Sequence, residues 1–443
     1  MTDELLYEIA QAAADCFGAP SLSVSVIRNG QLSGVSIGST ESTLFQAGEI
    51  SKTFLSSALR KNGTDTGRPV SGISGWFRMK TDGLTGEVTL DDIMLQRTGL
   101  PPHEASWFFN PELTYRETAE RVRYLDTAYG LRERWCRQDH LFAAASCALE
   151  DMTGMSWDGY MGSEVLGPAG LKDTFCSLCE AEMSGRQDIA VPHFSSYGKP
   201  AEVSLWMTDL LAGGGSMLSC TRDLAIWADT ASEDISHETV PVPGEELFGF
   251  PPAAAGIRNI SYADGWYILD FLGSRLVCSY GKVGGSAVIC GKLPDEGMSF
   301  AAACGIGGNY CTEAVAYALC EHAIRGQYSD WNMRMTELGK GVAEIKRSQN
   351  SSLLRICTDD VFPSSVSGTY FNEGYGEAEF FEEYGRLFMT VFGIPMRIYR
   401  TESDICILDA TQLLGDALPC RVGDGRIGIL FEPQCKEMVL FRK

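Results

Sequence analysis

The hydrophobic pattern of this chain changes character once, near residue 350, and that change constrains its fold more than any other feature. Beyond it lie Gly368-Thr369-Tyr370, Ala378-Glu379-Phe380-Phe381, Leu387-Phe388-Met389, Met396-Arg397-Ile398-Tyr399, Ile405-Cys406-Ile407-Leu408, Ile427-Gly428-Ile429-Leu430-Phe431 and Met438-Val439-Leu440-Phe441. Seven short apolar runs, separated by turns rich in Gly or acidic residues, read as a small antiparallel barrel. Before the change, helical and strand spacings are mixed. Leu5, Leu6, Ile9, Ala13 and Cys16 recur at helical spacing. Leu22, Val24 and Val26 alternate with serines, Asn29-Gly30 suits a hairpin turn, and Val35 and Ile37 continue the return strand. The chain therefore reads as α+β: an antiparallel sheet with helices over residues 1–348, a polar linker over 349–365 and a β-barrel over 366–443.

Within the first part, Thr89 is a plausible N-cap for a short helix over Leu90-Asp91-Asp92-Ile93. A long apolar helix is expected from Leu141 to Met152, ending near Gly154, and Thr221 is placed to cap a helix holding Leu224, Ile226 and Trp227. Strands are expected around Tyr267–Leu269, Arg275–Ser279, Ala287–Gly291 and Phe300–Ala303, followed by helices over 312–325 and 333–348. Gln349-Asn350-Ser351-Ser352 reads as the start of the linker.

A formal charge of −22 over 443 residues argues against nucleic acid or anionic membrane as partners. The acidic N-terminus, Met1-Thr2-Asp3-Glu4-Leu5, lacks the basic start of a secretory signal, and no stretch reaches the length of a membrane span. Fifteen cysteines, scattered and odd in number, suit a reducing, cytoplasmic setting. Cys176-Ser177-Leu178-Cys179 stands alone, without a second pair or nearby histidines, so no metal is expected. No dinucleotide or phosphate-cradling glycine motif occurs, so no cofactor is expected. A small-molecule substrate is the partner expected.

Chemistry concentrates in Phe45-Gln46-Ala47-Gly48-Glu49-Ile50-Ser51-Lys52-Thr53-Phe54. Glu49 is expected at a helix start, where the macrodipole favours an anion, with Lys52 three residues on. The segment resembles the Ser-x-x-Lys motif of the β-lactamase and penicillin-binding-protein family, with Glu49 where the serine would stand. Val88-Thr89-Leu90-Asp91-Asp92-Ile93-Met94-Leu95-Gln96-Arg97-Thr98-Gly99-Leu100-Pro101, Leu149-Glu150-Asp151-Met152-Thr153-Gly154, Gly214-Gly215-Ser216-Met217-Leu218-Ser219 and Tyr280-Gly281-Lys282-Val283-Gly284-Gly285 are similar to further landmarks in the family's order. The resemblance covers residues 20–330 and extends to class C β-lactamases, D-aminopeptidases and related esterases and acyltransferases. It implies a β-lactamase/DD-peptidase-like sheet plus an all-helical subdomain. The C-terminal part resembles the lipocalin-like barrel of some members.

Carried over by position, the resemblance puts the nucleophile at Glu49, the activating lysine at Lys52, the Tyr-x-Asn motif at Arg137-Gln138-Asp139 and the strand cation at Lys282. Gly284 and Gly285 would let substrate approach the backbone. Glu49 has no hydroxyl and guanidinium cannot act as a base, so acyl-enzyme chemistry is not expected. Glu49 or Asp139 could abstract a proton while Lys52, Arg137 and Lys282 stabilise an oxyanion, as in an isomerase, lyase or cyclase acting on a small hydrophobic carbonyl compound. Water activated by Glu49, attacking an ester or amide, is the alternative. A third reading is an inactive relative that only binds, its charges forming a closed salt-bridge network. His103 could line a substrate pocket or lie on the surface, and Trp107, in the run Trp107-Phe108-Phe109, could form an apolar wall.

Overall fold

A computed structural model describes residues 2–195, 199–233, 235–236, 238–244, 252–391, 394–411, 415–423 and 425–443. Ser196, which opens a stray Ser-x-x-Lys string ending at Lys199, and Tyr197 lie outside the described residues.

The first part is built on an eight-stranded antiparallel sheet, in the order β2-β1-β8-β7-β6-β5-β4-β3. Its strands are β1 (Leu22–Arg28), β2 (Gln31–Ile37), β3 (Val240–Pro241), β4 (Ile257–Ala263), β5 (Trp266–Phe271), β6 (Ser274–Val283), β7 (Ser286–Leu293) and β8 (Met298–Cys304). Both faces are covered, so side chains of alternate parity enter different cores. In β8, Phe300 and Ala302 pack with α1 (Asp3–Phe17) and with two late helices, α6 (Cys311–Arg325) and α7 (Trp331–Leu354). Ala301 and Ala303 face the other core, which holds α2 (Ser51–Lys61), α4 (His140–Thr153) and α5 (Thr221–Ala231). There Phe54 of α2 stacks on Trp227 of α5 at 4.0 Å. The expected strands are all present. β4 was missed because Arg258, Asn259 and Ser261 interrupt its apolar residues.

The helix expected after Thr89 is α3 (Leu90–Met94), capped reciprocally by Thr89 and Asp92. Thr221 is the first residue of α5 rather than its cap, and its hydroxyl bonds Ser25 at 2.9 Å. α7 runs straight through Gln349-Asn350-Ser351-Ser352, the stretch expected to be a linker. Asn350 explains this: its side chain donates to the Gly415 carbonyl and accepts from the Ala417 N–H, both at 2.8 Å, so the last turns of the helix dock on the barrel.

The barrel has eight antiparallel strands: β10 (Gly368–Asn372), β11 (Gly376–Glu383), β12 (Arg386–Val391), β13 (Ile394–Thr401), β14 (Cys406–Ala410), β15 (Asp416–Gly423), β16 (Arg426–Ile429) and β17 (Met438–Arg442). β10 pairs with β17, and β13 with β14, which closes the ring; β9 (Cys357–Thr358) adds to β13 outside it. The eighth strand, β15, escaped the sequence reading because Pro419 and Arg421 break its apolar pattern. Tyr370, Phe380, Leu387, Met389, Leu408 and Ile429 fill the interior.

Asp92 is a buried keystone of the helical lobe. It accepts hydrogen bonds from the Thr89 N–H at 3.2 Å, the Thr89 hydroxyl at 2.9 Å, and Arg97 and Arg132 at 2.8 Å. Burial alone pushes its carboxyl pKa up, but the bonds from Arg132, Arg97 and Thr89 outweigh that and hold it below the usual carboxylate range. The folded-state pKa is therefore the lower one, so this stability is complete above the unfolded value of about 4 and is lost as pH falls through the folded value. In urea unfolding, Asp92→Asn is expected to cost roughly 2–4 kcal/mol near pH 7. The gap between wild type and variant should stay constant down to about pH 5 and narrow below it.

Candidate active site

The site forms where β6 outruns its neighbour. The β5–β6 ladder ends at Tyr267↔Cys278, whereas β6–β7 pairing continues to Val283↔Ser286. One edge of residues 279–283 is therefore left for another segment to meet. The turn before α2, Gly48–Ile50, packs there so tightly that a Cβ on Gly281 would lie 1.9 Å from the Ala47 carbonyl oxygen. Glu49 reaches along this edge, and its Oε2 accepts the Lys282 backbone N–H at 3.1 Å. Glu49 sits in a 3₁₀ turn just ahead of α2 rather than in the helix.

Lys52 lies in the first turn of α2 but does not turn to Glu49. Its Nζ meets Asp139 Oδ1 at 2.5 Å and rests 5.1 Å from the centre of the Phe142 ring. Asp139 immediately precedes α4, which aims its carboxylate into the lobe. Arg137, two residues earlier, joins the carboxylates: Nη1 is 3.3 Å from Asp139 Oδ2 and 3.6 Å from Glu49 Oε1, and Nη2 is paired with Glu104. Burial alone pushes the Asp139 carboxyl up, but Lys52 and Arg137 outweigh it and hold Asp139 below the usual range. Burial pulls the Arg137 guanidinium down, and Asp139 and Glu49 more than reverse this, so it stays a permanent cation.

Exposure divides the cluster. The Lys52 and Asp139 side chains keep 2% and 8% of their surface, those of Glu49 and Arg137 23% and 28%. A ligand can reach the second pair and not the first. Beside Glu49, Tyr267 and Tyr280 stack at 5.2 Å. Burial raises both phenol pKa values, with the Glu49 charge adding to the effect, so both stay protonated at neutral pH.

Glu49, Lys52, Arg137 and Asp139 lie together in space, with Lys52 on Asp139 and Arg137 between Asp139 and Glu49. Lys282 departs from expectation: its ammonium is 2.5 Å from Glu313 of α6 and 4.8 Å from the centre of the Tyr310 ring, and only its backbone N–H serves Glu49. Strand alternation is the reason, because side chains of even number in β6 point toward α6. Gly284 and Gly285 form the two-residue turn between β6 and β7. They are glycines because their φ angles are positive and because a Cβ on Gly284 would strike the Trp206 ring at 2.6 Å. With Val283, Trp206, Phe194 and Ile394 of the barrel they line a cavity of about 840 Å³. Trp107 is buried behind that wall, its ring 6.0 Å from that of Trp206.

His103 is not at the surface. It is buried, with Nδ1 2.7 Å from the Tyr375 hydroxyl and Nε2 2.8 Å from the Asp126 carbonyl oxygen. Burial pushes its pKa down to about 4, leaving the ring neutral near pH 7. His140 begins α4, bonds Ser106 through Nε2, and is likewise held neutral, its pKa pushed down to about 3 by burial. The residues missed were Glu104, whose only signal was adjacency to His103, and Glu432, which has none.

Asp173, Cys220 and Asp223 are close enough to share an ion. They do not fit one: Asp173 is paired with Arg186 and Arg222, and burial pushes the Cys220 thiol up to about 12. Cys176 is buried and Cys179 exposed, and neither is in a disulfide. Among the described residues, no helix is long and apolar enough to cross a membrane.

A two-sided antiparallel sheet, a helical lobe, and a lysine-bearing helix start against the sheet edge define a recognised class of fold. The Beta-lactamase family matches residues 9–308, more than half of the chain, and the chain belongs to that family. The unguisins hydrolase ungD′ of Aspergillus campestris (strain IBT 28561) is 22% identical over 412 residues, covering 84% of this chain and 76% of that protein. The unguisins hydrolase ungD of Aspergillus violaceofuscus (strain CBS 115571) is 21% identical over 384 residues, covering 76% and 67%. Among solved structures, the octameric penicillin-binding protein homologue from Pyrococcus abyssi superposes with a TM-score of 0.63 at 18% identity, covering 99% of this chain and 100% of that one. The D-amino acid amidase from Ochrobactrum anthropi SV3, complexed with L-phenylalanine amide, gives 0.59 at 16% identity, covering 76% and 99%.

The closed pair sets an expectation for stability. Asp139→Asn strands a buried ammonium and is expected to cost roughly 3–5 kcal/mol in urea unfolding. Lys52→Met leaves the carboxylate with Arg137 at 3.3 Å and should cost less, roughly 2–3 kcal/mol. The double variant Lys52→Met/Asp139→Leu should cost well under the sum, by about 2 kcal/mol or more, because no charge is left alone.

Proposed function

We propose that this protein is an acid–base catalyst on the β-lactamase fold that works without a serine nucleophile, with Glu49 as the proton-transferring group. The observation that carries the reading is the split in the charge cluster. The Lys52–Asp139 pair is closed and buried, whereas the Glu49 carboxylate is partly open, held by one backbone N–H at 3.1 Å and by Arg137 at 3.6 Å. A carboxylate so held keeps lone pairs for a proton, and Arg137 beside it can stabilise an oxyanion as it develops. The neighbouring cavity, which is lined by Lys282, Val283, Trp206, Phe194 and Ile394 and not by Glu49 itself, would take an apolar group of a substrate whose carbonyl lies at Glu49. Isomerisation, elimination and cyclisation of such a compound each begin with this proton transfer.

A second reading keeps the same base and adds water. Relatives named as unguisins hydrolases and a D-amino acid amidase favour it, with an amide as the substrate. Glu49 would then deprotonate a water that attacks the carbonyl.

A panel of amino acid amides, peptides, esters and small carbonyl metabolites, turned over in H₂¹⁸O, tests both readings. ¹⁸O in the product assigns water attack, and turnover without it assigns proton transfer alone. For whichever substrate is consumed, Glu49→Gln is expected to lower kcat by about 10²–10⁴-fold. Full turnover by Glu49→Gln would sink the proposal. Glu49→Ser is expected to remain unlabelled by serine-directed acylating probes, because Lys52 is committed to Asp139 and Arg137 cannot serve as a base.

A further inference from the structure

The loop over residues 103–110 carries Glu104 into the charge cluster, and the barrel grips that loop from two sides. From one side, the Tyr375 hydroxyl meets His103 Nδ1 at 2.7 Å, and the Tyr375 carbonyl accepts from the Asn110 side chain at 2.7 Å. The contact is close enough that a Cβ on Gly376 would lie 2.1 Å from Asn110 Oδ1. From the other side, Phe431 meets Phe109 edge-on at 5.7 Å, and Glu432 accepts the Glu104 backbone N–H through Oε1. The second Glu432 oxygen takes the Cys435 thiol at 3.1 Å. His103 is held at a φ of +50°, a left-handed conformation uncommon for a side-chain-bearing residue.

We infer that Glu432 is a positioning residue through which the barrel completes the candidate active site: it fixes Glu104, and Glu104 sets the plane of the Arg137 guanidinium against Glu49. The geometry of Arg137 carries this. Its two terminal nitrogens have different partners, Nη2 on Glu104 and Nη1 between Glu49 and Asp139. Because the guanidinium is planar and rigid, anchoring one nitrogen orients the other. The Glu104 backbone hangs on Glu432, a residue 328 positions away in sequence and in the other part of the molecule. Freed from Glu432, the loop no longer holds its carboxylate on Nη2, and Nη1 loses its fixed distance to Glu49.

The inference rests on the reading of Glu49 and Arg137 as the site, so its test reads the arginine itself and needs no substrate. Full-length protein is treated with phenylglyoxal, and the modification rate of Arg137 is followed by peptide mass spectrometry, with the barrel arginine Arg426 as reference. Glu432→Ala is expected to raise the Arg137 rate by about five-fold, the population change equivalent to one lost hydrogen bond, and to leave Arg426 unchanged. Glu432→Gln keeps an acceptor for the Glu104 N–H and should behave like wild type. Tyr375→Phe loosens the other grip without changing shape, and should raise the Arg137 rate in the same direction. An unchanged Arg137 rate in Glu432→Ala, a rise matched by Arg426, or a Glu432→Gln variant as labile as Glu432→Ala would each overturn the inference. If Glu432→Ala does not fold, an unchanged rate in Tyr375→Phe overturns it. A positive result here together with full turnover by Glu49→Gln would leave the positioning intact and reject the catalytic reading alone.

Discussion

One guanidinium, that of Arg137, faces three carboxylates, and the site is arranged to keep that crowding tolerable. Glu49, Asp139 and Glu104 all pair with it, and Lys52 takes the remaining oxygen of Asp139. Two cations thus face three anions in a partly desolvated lobe. Removing such ions from water costs several kcal/mol each unless partners replace the hydration. Burying Lys52 and Asp139 together is tolerable because they meet directly. Leaving Glu49 and Arg137 partly exposed lets solvent screen the surplus negative charge. The same division that stabilises the lobe separates a structural pair from an approachable one.

The backbone sets that division. Because β6 continues past the end of β5, a strand edge is presented to the turn before α2, and Glu49 caps one of its N–H groups. That N–H belongs to the exposed Lys282, where water can also accept it, so the bond adds about 0.5–1.5 kcal/mol and chiefly directs the carboxylate. A carboxylate at position 49 therefore has a conformational role that a serine's shorter side chain would fill differently. It also spends one of its oxygens on the backbone and directs the other toward Arg137.

Much of the fold was legible because periodicity and turn chemistry are local. Six of the eight strands of the sheet, the N-cap at Thr89, the long helix before Gly154 and a closing barrel all follow from spacing within a few residues. What escaped was set by distant contacts. β15 pairs as a strand despite Pro419, and α7 persists through a polar stretch because Asn350 finds Gly415 and Ala417. In the site, Glu49, Lys52, Arg137 and Asp139 were legible as neighbours because their segments carry recognisable landmarks. Glu104 and Glu432 were not, since nothing around Glu432 distinguishes it from any surface glutamate until Glu104 is packed against it. Lys282 misled because its residue type suits the site while its position in the strand turns the side chain toward Glu313.

The sequence by itself determined the inventory: a carboxylate at 49, a guanidinium at 137 that can never be a base, and the strand and helix periods that bring their segments together. These are properties of residue type and spacing, and no packing can alter them. Tertiary structure alone decided the pairing. Whether Lys52 answers Glu49 or Asp139, and whether Glu49 is sealed or open, depends on ångström-scale geometry between segments far apart in the chain. Electrostatic partnership in a low-dielectric interior falls off over those few ångströms, so it is settled only when the sheet edge, the lobe and the barrel have closed around the site.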